Sequence, residues 1–258
     1  MNKSIFKIKF SFLLSLLLII LYVVYSLVIV GGTNKNLEPP SISHWFGTDL
    51  TGYDVFIKSI NAFGLEVLTL LVVFTAIYFF GLFFGMILSY FSKAWIRELL
   101  LNLIHYWVTL PVLLIALFII VLLGAGQMNA TFVMIFVFIP TQALYVYNQL
   151  ETVKKNDFFV AKKSYGFTKA YIYINHLFPN IKSNFTNYTV ARMPEIIMMN
   201  LALNFLGLGV QPPANSFGRM LFDGLSFMFS AWWMWIFVIL LILILYILIQ
   251  NITRRFIL

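Results

Sequence analysis

The chain has no cysteine and little charge: of its 258 residues only 10% are Asp, Glu, Lys or Arg, where a soluble globular chain carries about 25%. Without cysteine there are no disulfides, no thiolate metal sites and no cysteine nucleophile. None of the 14 glycines is followed by lysine, which removes the phosphate-cradling loop that an ATPase of the usual kind needs. The three histidines, His44, His105 and His176, are scattered, and none belongs to a His-Glu-x-x-His helix. His105 is expected to be a buried hydrogen-bonding residue rather than a ligand. No Ser, His and acidic set signals hydrolysis. The expectation is a non-catalytic chain that itself binds no metal and no cofactor.

What is present is apolar surface. Hydrophobic residues make up 62% of the chain, with 28 Phe, 13 Tyr and 6 Trp, more than one soluble core can hide. Five stretches, 10–34, 67–92, 99–150, 196–217 and 224–253, contain no charged side chain. A helix needs roughly 20 residues to cross the hydrocarbon layer, so the third stretch must hold two helices, turning at Gly124 to Asn129. Six spans follow, at about 10–31, 67–91, 101–123, 130–149, 190–210 and 232–251. Alternating apolar and polar strands are absent, which excludes a β-barrel. The fold class is therefore all-α, a polytopic membrane protein with six transmembrane helices.

The net charge of +8 finds its explanation in topology. With a cytoplasmic N-terminus, Lys3, Lys7, Lys9, Lys93, Arg97, the six lysines from Lys154 to Lys182, Arg254 and Arg255 all fall inside, with Arg192 at that boundary, and only Lys35, Lys58 and Arg219 outside. This is a strong positive-inside bias, with both termini cytoplasmic and anionic lipid, not nucleic acid, as the basic chain's counterpart. The first span resembles a signal peptide but is longer than the usual apolar core and reads as an uncleaved anchor. Residues 1–66 form this anchor plus an extracytoplasmic amphipathic segment, and 67–258 the transmembrane domain. In that segment Thr51 and Asp54 have capping-box spacing, and Tyr53, Phe56, Ile57, Ile60 and Phe63 follow helical periodicity. The expectation is a short helix on the outer interface or an amphipathic lead-in to the second span.

The second long non-spanning region is cytoplasmic, residues 151–187. Phe158, Ala161 and Tyr165 form one stripe, Gly166 breaks it, and Phe167, Tyr171, Ile174 and Phe178 form another before Pro179. Two short helices hinged at Gly166 are expected. Their lysines suit either solvent or anionic lipid. At the start of the fifth span Arg192 and Glu195 lie one turn apart, as an ion pair near the interface or as part of a translocation path. Asn200 and Asn204 on the same helix suit a pore lining or a bond to a neighbouring helix.

The run Asn204-Phe-Leu-Gly-Leu-Gly-Val-Gln-Pro-Pro-Ala-Asn-Ser-Phe-Gly-Arg-Met-Leu221 resembles the signature of the C-type permease subunit of the dipeptide, oligopeptide and nickel class of ABC importers. Its landmarks are Phe205, Gly207, Gly209, Pro212, Pro213 and Gly218. Two further matches fall in order. His44-Trp-Phe-Gly-Thr-Asp-Leu-Thr-Gly-Tyr-Asp54 is similar to the family's H-P-L-G-T-D-x-x-G-R-D, through Gly47, Thr48, Asp49, Gly52 and Asp54. Val160-Ala-Lys-Lys-Ser-Tyr-Gly166, followed by His176-Leu-Phe-Pro-Asn180, resembles the permease E-A-A-x3-G-x9-I-x-L-P loop. Val160 stands where the family usually has Glu, Lys162 replaces the second Ala, and Tyr53 stands where Arg is usual.

The resemblance implies a bacterial plasma-membrane subunit that shares a pathway with a homologous second permease. Two ATP-binding subunits, holding ATP and Mg, would drive it, and an extracytoplasmic substrate-binding protein would feed it. Short peptides, nickel or metal chelates are the implied substrates. The loop carrying Phe158, Val160, Ala161, Tyr165, Gly166 and Pro179 would dock on an ATPase, without the charge-assisted contact that the missing Glu would supply. The rival reading is a secondary transporter driven by an ion gradient, which generally needs intramembrane carboxylates or helices broken at mid-membrane.

Overall fold

The computed structural model describes residues 35–90, 94–155 and 168–257. The expected first span, 10–31, lies outside them. The described residues are helical, with no β-structure beyond one isolated antiparallel bridge between Thr48 and Asp54.

Helix α1, Val55–Tyr90, runs 36 residues without a break. No proline interrupts it, so of the two readings of the amphipathic segment the lead-in holds: it is the first third of the same helix and not a separate interfacial one. The next expected span is two helices, α2 (Ala94–Thr109) and α3 (Val112–Leu123), bent by 98° at their junction. Pro111 sits at that break and cannot supply the N–H that would continue α2. Helix α3 has 12 residues, about 18 Å and too short to cross alone. The Gly124 to Asn129 turn follows, and Asn129 Nδ2 donates to the carbonyls of Leu123 and Gly124. Helix α4, Gln127–Lys154, contains Pro140 and stays continuous.

Helix α5 (Lys169–Ile172), a π-helical turn (Tyr173–Leu177) and helix α6 (Phe178–Val190) follow one another directly. Pro179 does not break this run. It occupies the first turn of α6, directly after the π-helical turn. Helix α7 (Met193–Phe205) begins after Ala191 and Arg192, so the expected span 190–210 is a 13-residue helix rather than a 21-residue one. Helix α8 (Phe217–Gly224) and one 3-10 turn (Leu225–Phe227) lead to α9, Trp233–Ile257. Among the described residues, three helices are long and apolar enough to cross a membrane, or four spans if the bent α2 and α3 pair is one.

The chain divides into two compact units. One takes the chain up to Val72, Leu123–Thr131 and Ile197–Leu248; the other takes Val73–Leu122, Phe132–Ile196 and Ile249–Leu258. The first buries Val55, Ala62, Leu203, Val210, Phe217 and Trp233. The second is centred on Val146, Leu150, Ile172, Tyr173, Leu177, Ile181 and Phe185. There α1 meets α4 with almost no gap: a Cβ added to Gly81 would lie 2.3 Å from Gln142 Cβ, and one on Gly85 2.5 Å from Val146 Cβ. Two glycines four residues apart let membrane helices approach to backbone contact.

Candidate functional site: the two signature segments and the coupling segment

The first signature segment is a tight loop closed by its own carboxylates. Asp49 Oδ1 accepts from the Thr51 amide and hydroxyl, each at 2.8 Å, and from the Tyr53 amide at 3.0 Å. The other oxygen of Asp49 is ion-paired with Lys58. Burial opposes the charged form of Asp49, but the Lys58 ammonium and the Thr51 donors outweigh it, and its pKa lies below the ordinary 3.8. The expected capping box is not formed as such. Thr51 spends its hydroxyl on Asp49, and Asp54 is the capping residue of α1, accepting from the amides of Phe56 and Ile57 at 2.8 and 3.2 Å. His44 Nδ1 lies 2.9 Å from the second oxygen of Asp54.

This loop is fastened to the start of α9. Trp233 Nε1 donates to the Thr48 carbonyl at 3.2 Å, and Phe46 stacks on Phe237 with ring centroids 4.3 Å apart. Gly47 has φ +68°, and a Cβ there would meet the Glu38 carbonyl at 2.6 Å and the Trp233 ring at 2.8 Å. Both the backbone sign and the space demand glycine.

The second signature segment ends α7 and is organised by Asn204. Its Nδ2 donates to the Asn200 carbonyl at 2.8 Å and to Asn200 Oδ1 at 3.1 Å, while its Oδ1 accepts from the Val210 amide at 2.7 Å. Both asparagines are buried. Asn200, expected as a pathway candidate, therefore spends its side chain in a contact within the protein. Gly209 packs against the Asn204 amide and Gly218 against the Leu201 carbonyl, closely enough that a Cβ would lie 2.3 and 2.4 Å away. Phe205 meets Phe222 edge-on, the Pro212-Pro213 bond is cis, and the Ser216 hydroxyl caps α8 by accepting from Arg219. Asp49, Lys58, Asn215, Arg219 and Asp223 from the two segments line one polar cavity of about 30 Å³. Its charges are paired, Asp49 with Lys58 and Arg219 with Asp223.

Sequence reasoning missed one residue here. Glu66, which immediately precedes the charge-free stretch 67–92, is 2% exposed on α1; it lies beside Asn200, and its Oε1 has no hydrogen-bond partner among the described residues. Its helical spacing with Ala62, Thr69 and Val73, a buried face of α1, was the available signal.

Of the residues expected to form an ATPase-coupling loop, Phe158, Val160, Ala161, Tyr165 and Gly166 lie outside the described residues, as does the hinge expected at Gly166. Pro179 is exposed on α6. Arg192 and Glu195 form an ion pair at 2.6 Å, and Arg192 also donates to the Tyr188 hydroxyl at 2.6 Å, the local arrangement that a three-residue spacing favours. His105, expected to be buried, is exposed on α2.

The chain belongs to a family of ABC-transporter permeases: residues 81–258 match the binding-protein-dependent transport system inner membrane component. It is 30% identical over 200 residues to the dipeptide transport system permease protein DppC of Alkalihalophilus pseudofirmus, covering 78% of this chain and 66% of that one. It is 30% identical to DppC of Bacillus subtilis, covering 81% and 65%. The glutathione transport system permease protein GsiD of Escherichia coli is 28% identical, with 70% and 60% covered. The chain thus spans slightly under two thirds of the curated relatives' length. The fold is similar to a chain of the MetNI methionine ABC transporter in an inward-facing crystal form, with a TM-score of 0.63 and 17% identity over 78% of this chain and 94% of that one.

Proposed function

We propose that this chain is the C-type permease of an ATP-driven importer of short peptides, with nickel or metal chelates as the other substrates of that class. It forms the translocation path with a homologous second permease in the bacterial plasma membrane. Two separate ATPases bind ATP and Mg and drive it through residues 151–187, with Phe158, Val160, Ala161, Tyr165 and Gly166 at the contact, and a substrate-binding protein delivers the load from outside. The observation that carries this reading is the family match over 81–258, joined to a signature segment in which Gly209 and Gly218 pack closely around Asn204. Relatives that are dipeptide and glutathione permeases support the peptide class.

The test is uptake of labelled dipeptides in a strain deleted for this chain. Loss of uptake, restored by the wild-type chain, is expected. Unchanged dipeptide uptake alongside lost nickel uptake would move the substrate to the metal class. Steady ATP hydrolysis by the purified chain alone would end the assignment.

A further inference from the structure

Two carbonyls in the last described turn of α1, Ser89 and Tyr90, accept from side chains elsewhere in the chain. The Tyr173 hydroxyl donates to the Ser89 carbonyl at 2.6 Å and Lys154 Nζ donates to the same oxygen at 2.9 Å. Lys169 Nζ donates to the Tyr90 carbonyl. Lys154 also donates to Glu151 at 2.6 Å, and the Ser89 hydroxyl donates to that carboxylate at 2.8 Å. The rings close the knot: Lys169 sits 4.2 Å over Tyr90, which meets Tyr173 edge-on at 5.4 Å, and Lys154 lies 5.1 Å from the Tyr173 ring.

Two properties single this knot out. Ser89 and Tyr173 are 3% and 5% exposed, so their bonds are made where water competes little. Tyr173 also opens the π-helical turn, a distortion frequent at functional positions. From there the helical run continues through Leu177, Ile181 and Phe185, packed in one core with Val146 and Leu150 of α4.

We propose that this knot is the mechanical joint of the coupling segment, and that Tyr173 is a positioning residue for coupling. Tyr173 and Lys169 tie the segment to the end of α1, so a displacement imposed by an ATPase reaches α1 as well as α6. The proposal rests on the reading of residues 151–187 as the ATPase-coupling segment.

The test uses the whole importer, purified with its ATPases and reconstituted with the binding protein. Tyr173→Phe removes one hydroxyl and keeps the ring; Lys169→Met removes the cation beside Tyr90. Wild-type ATPase content and basal hydrolysis are expected, with substrate moved per ATP falling about fivefold in Tyr173→Phe, the weight of one hydrogen bond, and less in Lys169→Met. An unchanged transport ratio in both variants would overturn the proposal. So would a parallel loss of assembly, hydrolysis and transport, which describes a cap that only stabilises. A wild-type complex that holds no ATPase overturns the underlying reading instead, before any variant is made.

Discussion

At the scale of single residues, the family signatures are mostly devices for holding backbone. Asp49 shows how. Its carboxylate organises three donors of its own loop and pairs with Lys58, so the charged form belongs to the folded state. The sign follows: a carboxyl whose folded pKa is lowered contributes stability above the ordinary 3.8, and that contribution is lost as pH falls through the folded value. Thermal unfolding in detergent should therefore show wild type losing stability below about pH 4. Asp49→Asn should start about 1.5–3 kcal/mol lower at neutral pH, the weight of a hydrogen bond to a charged group, and lack this component of the acid loss. Equal acid sensitivity in the two would place the titrating group elsewhere. Asn204 works the same way without charge, because its amide closes α7 on one side and the Val210 amide on the other.

At the scale of elements, the apolar runs announced most helices and misplaced their limits where a local break or its absence decided. The run after residue 66 extended backwards to Val55 because Asp54 caps it there and nothing interrupts it. The run from 101 to 123 broke at Pro111, a proline that composition alone treats as one more residue of a span. Pro140 and Pro179 did the reverse, one carried inside a helix and the other tucked into a first turn. Proline marks a possible break, and whether a neighbouring turn absorbs it is settled by packing. The close approach of α1 to α4 was written as Gly81-Leu-Phe-Phe-Gly85, but nothing local named the partner helix. Gly85→Leu should destabilise the protein by more than the 1–3 kcal/mol usual for overpacking, on the order of 4 kcal/mol, read as a lower melting temperature and a lower membrane level. A compensating Val146→Ala should restore only part of it, since the Ala143 carbonyl, 2.7 Å from the added Cβ, is backbone and cannot be trimmed. Full rescue by Val146→Ala would mean that the helices are free to separate.

At the scale of the whole molecule, the topology expected from the sequence is open to a direct test. The three basic residues assigned outside are each ion-paired with a nearby acid: Lys35 with Glu38, Lys58 with Asp49 and Arg219 with Asp223. Acidic partners contribute little to orientation, so the expected topology rests on the count of Lys and Arg on each side. Arg254 and Arg255, exposed or nearly so in the last turn of α9, and Lys182, exposed on α6, belong to the side expected to face the cytoplasm. Because the chain has no cysteine, single cysteines report sidedness without a background. Met128, 87% exposed at the start of α4, is the outward probe, and Met128→Cys should react with a membrane-impermeant maleimide on intact cells. Lys182→Cys should react only after the membrane is opened. Labelling of Lys182→Cys on intact cells, with Met128→Cys protected, would invert the orientation and put residues 151–187 out of reach of any cytoplasmic ATPase.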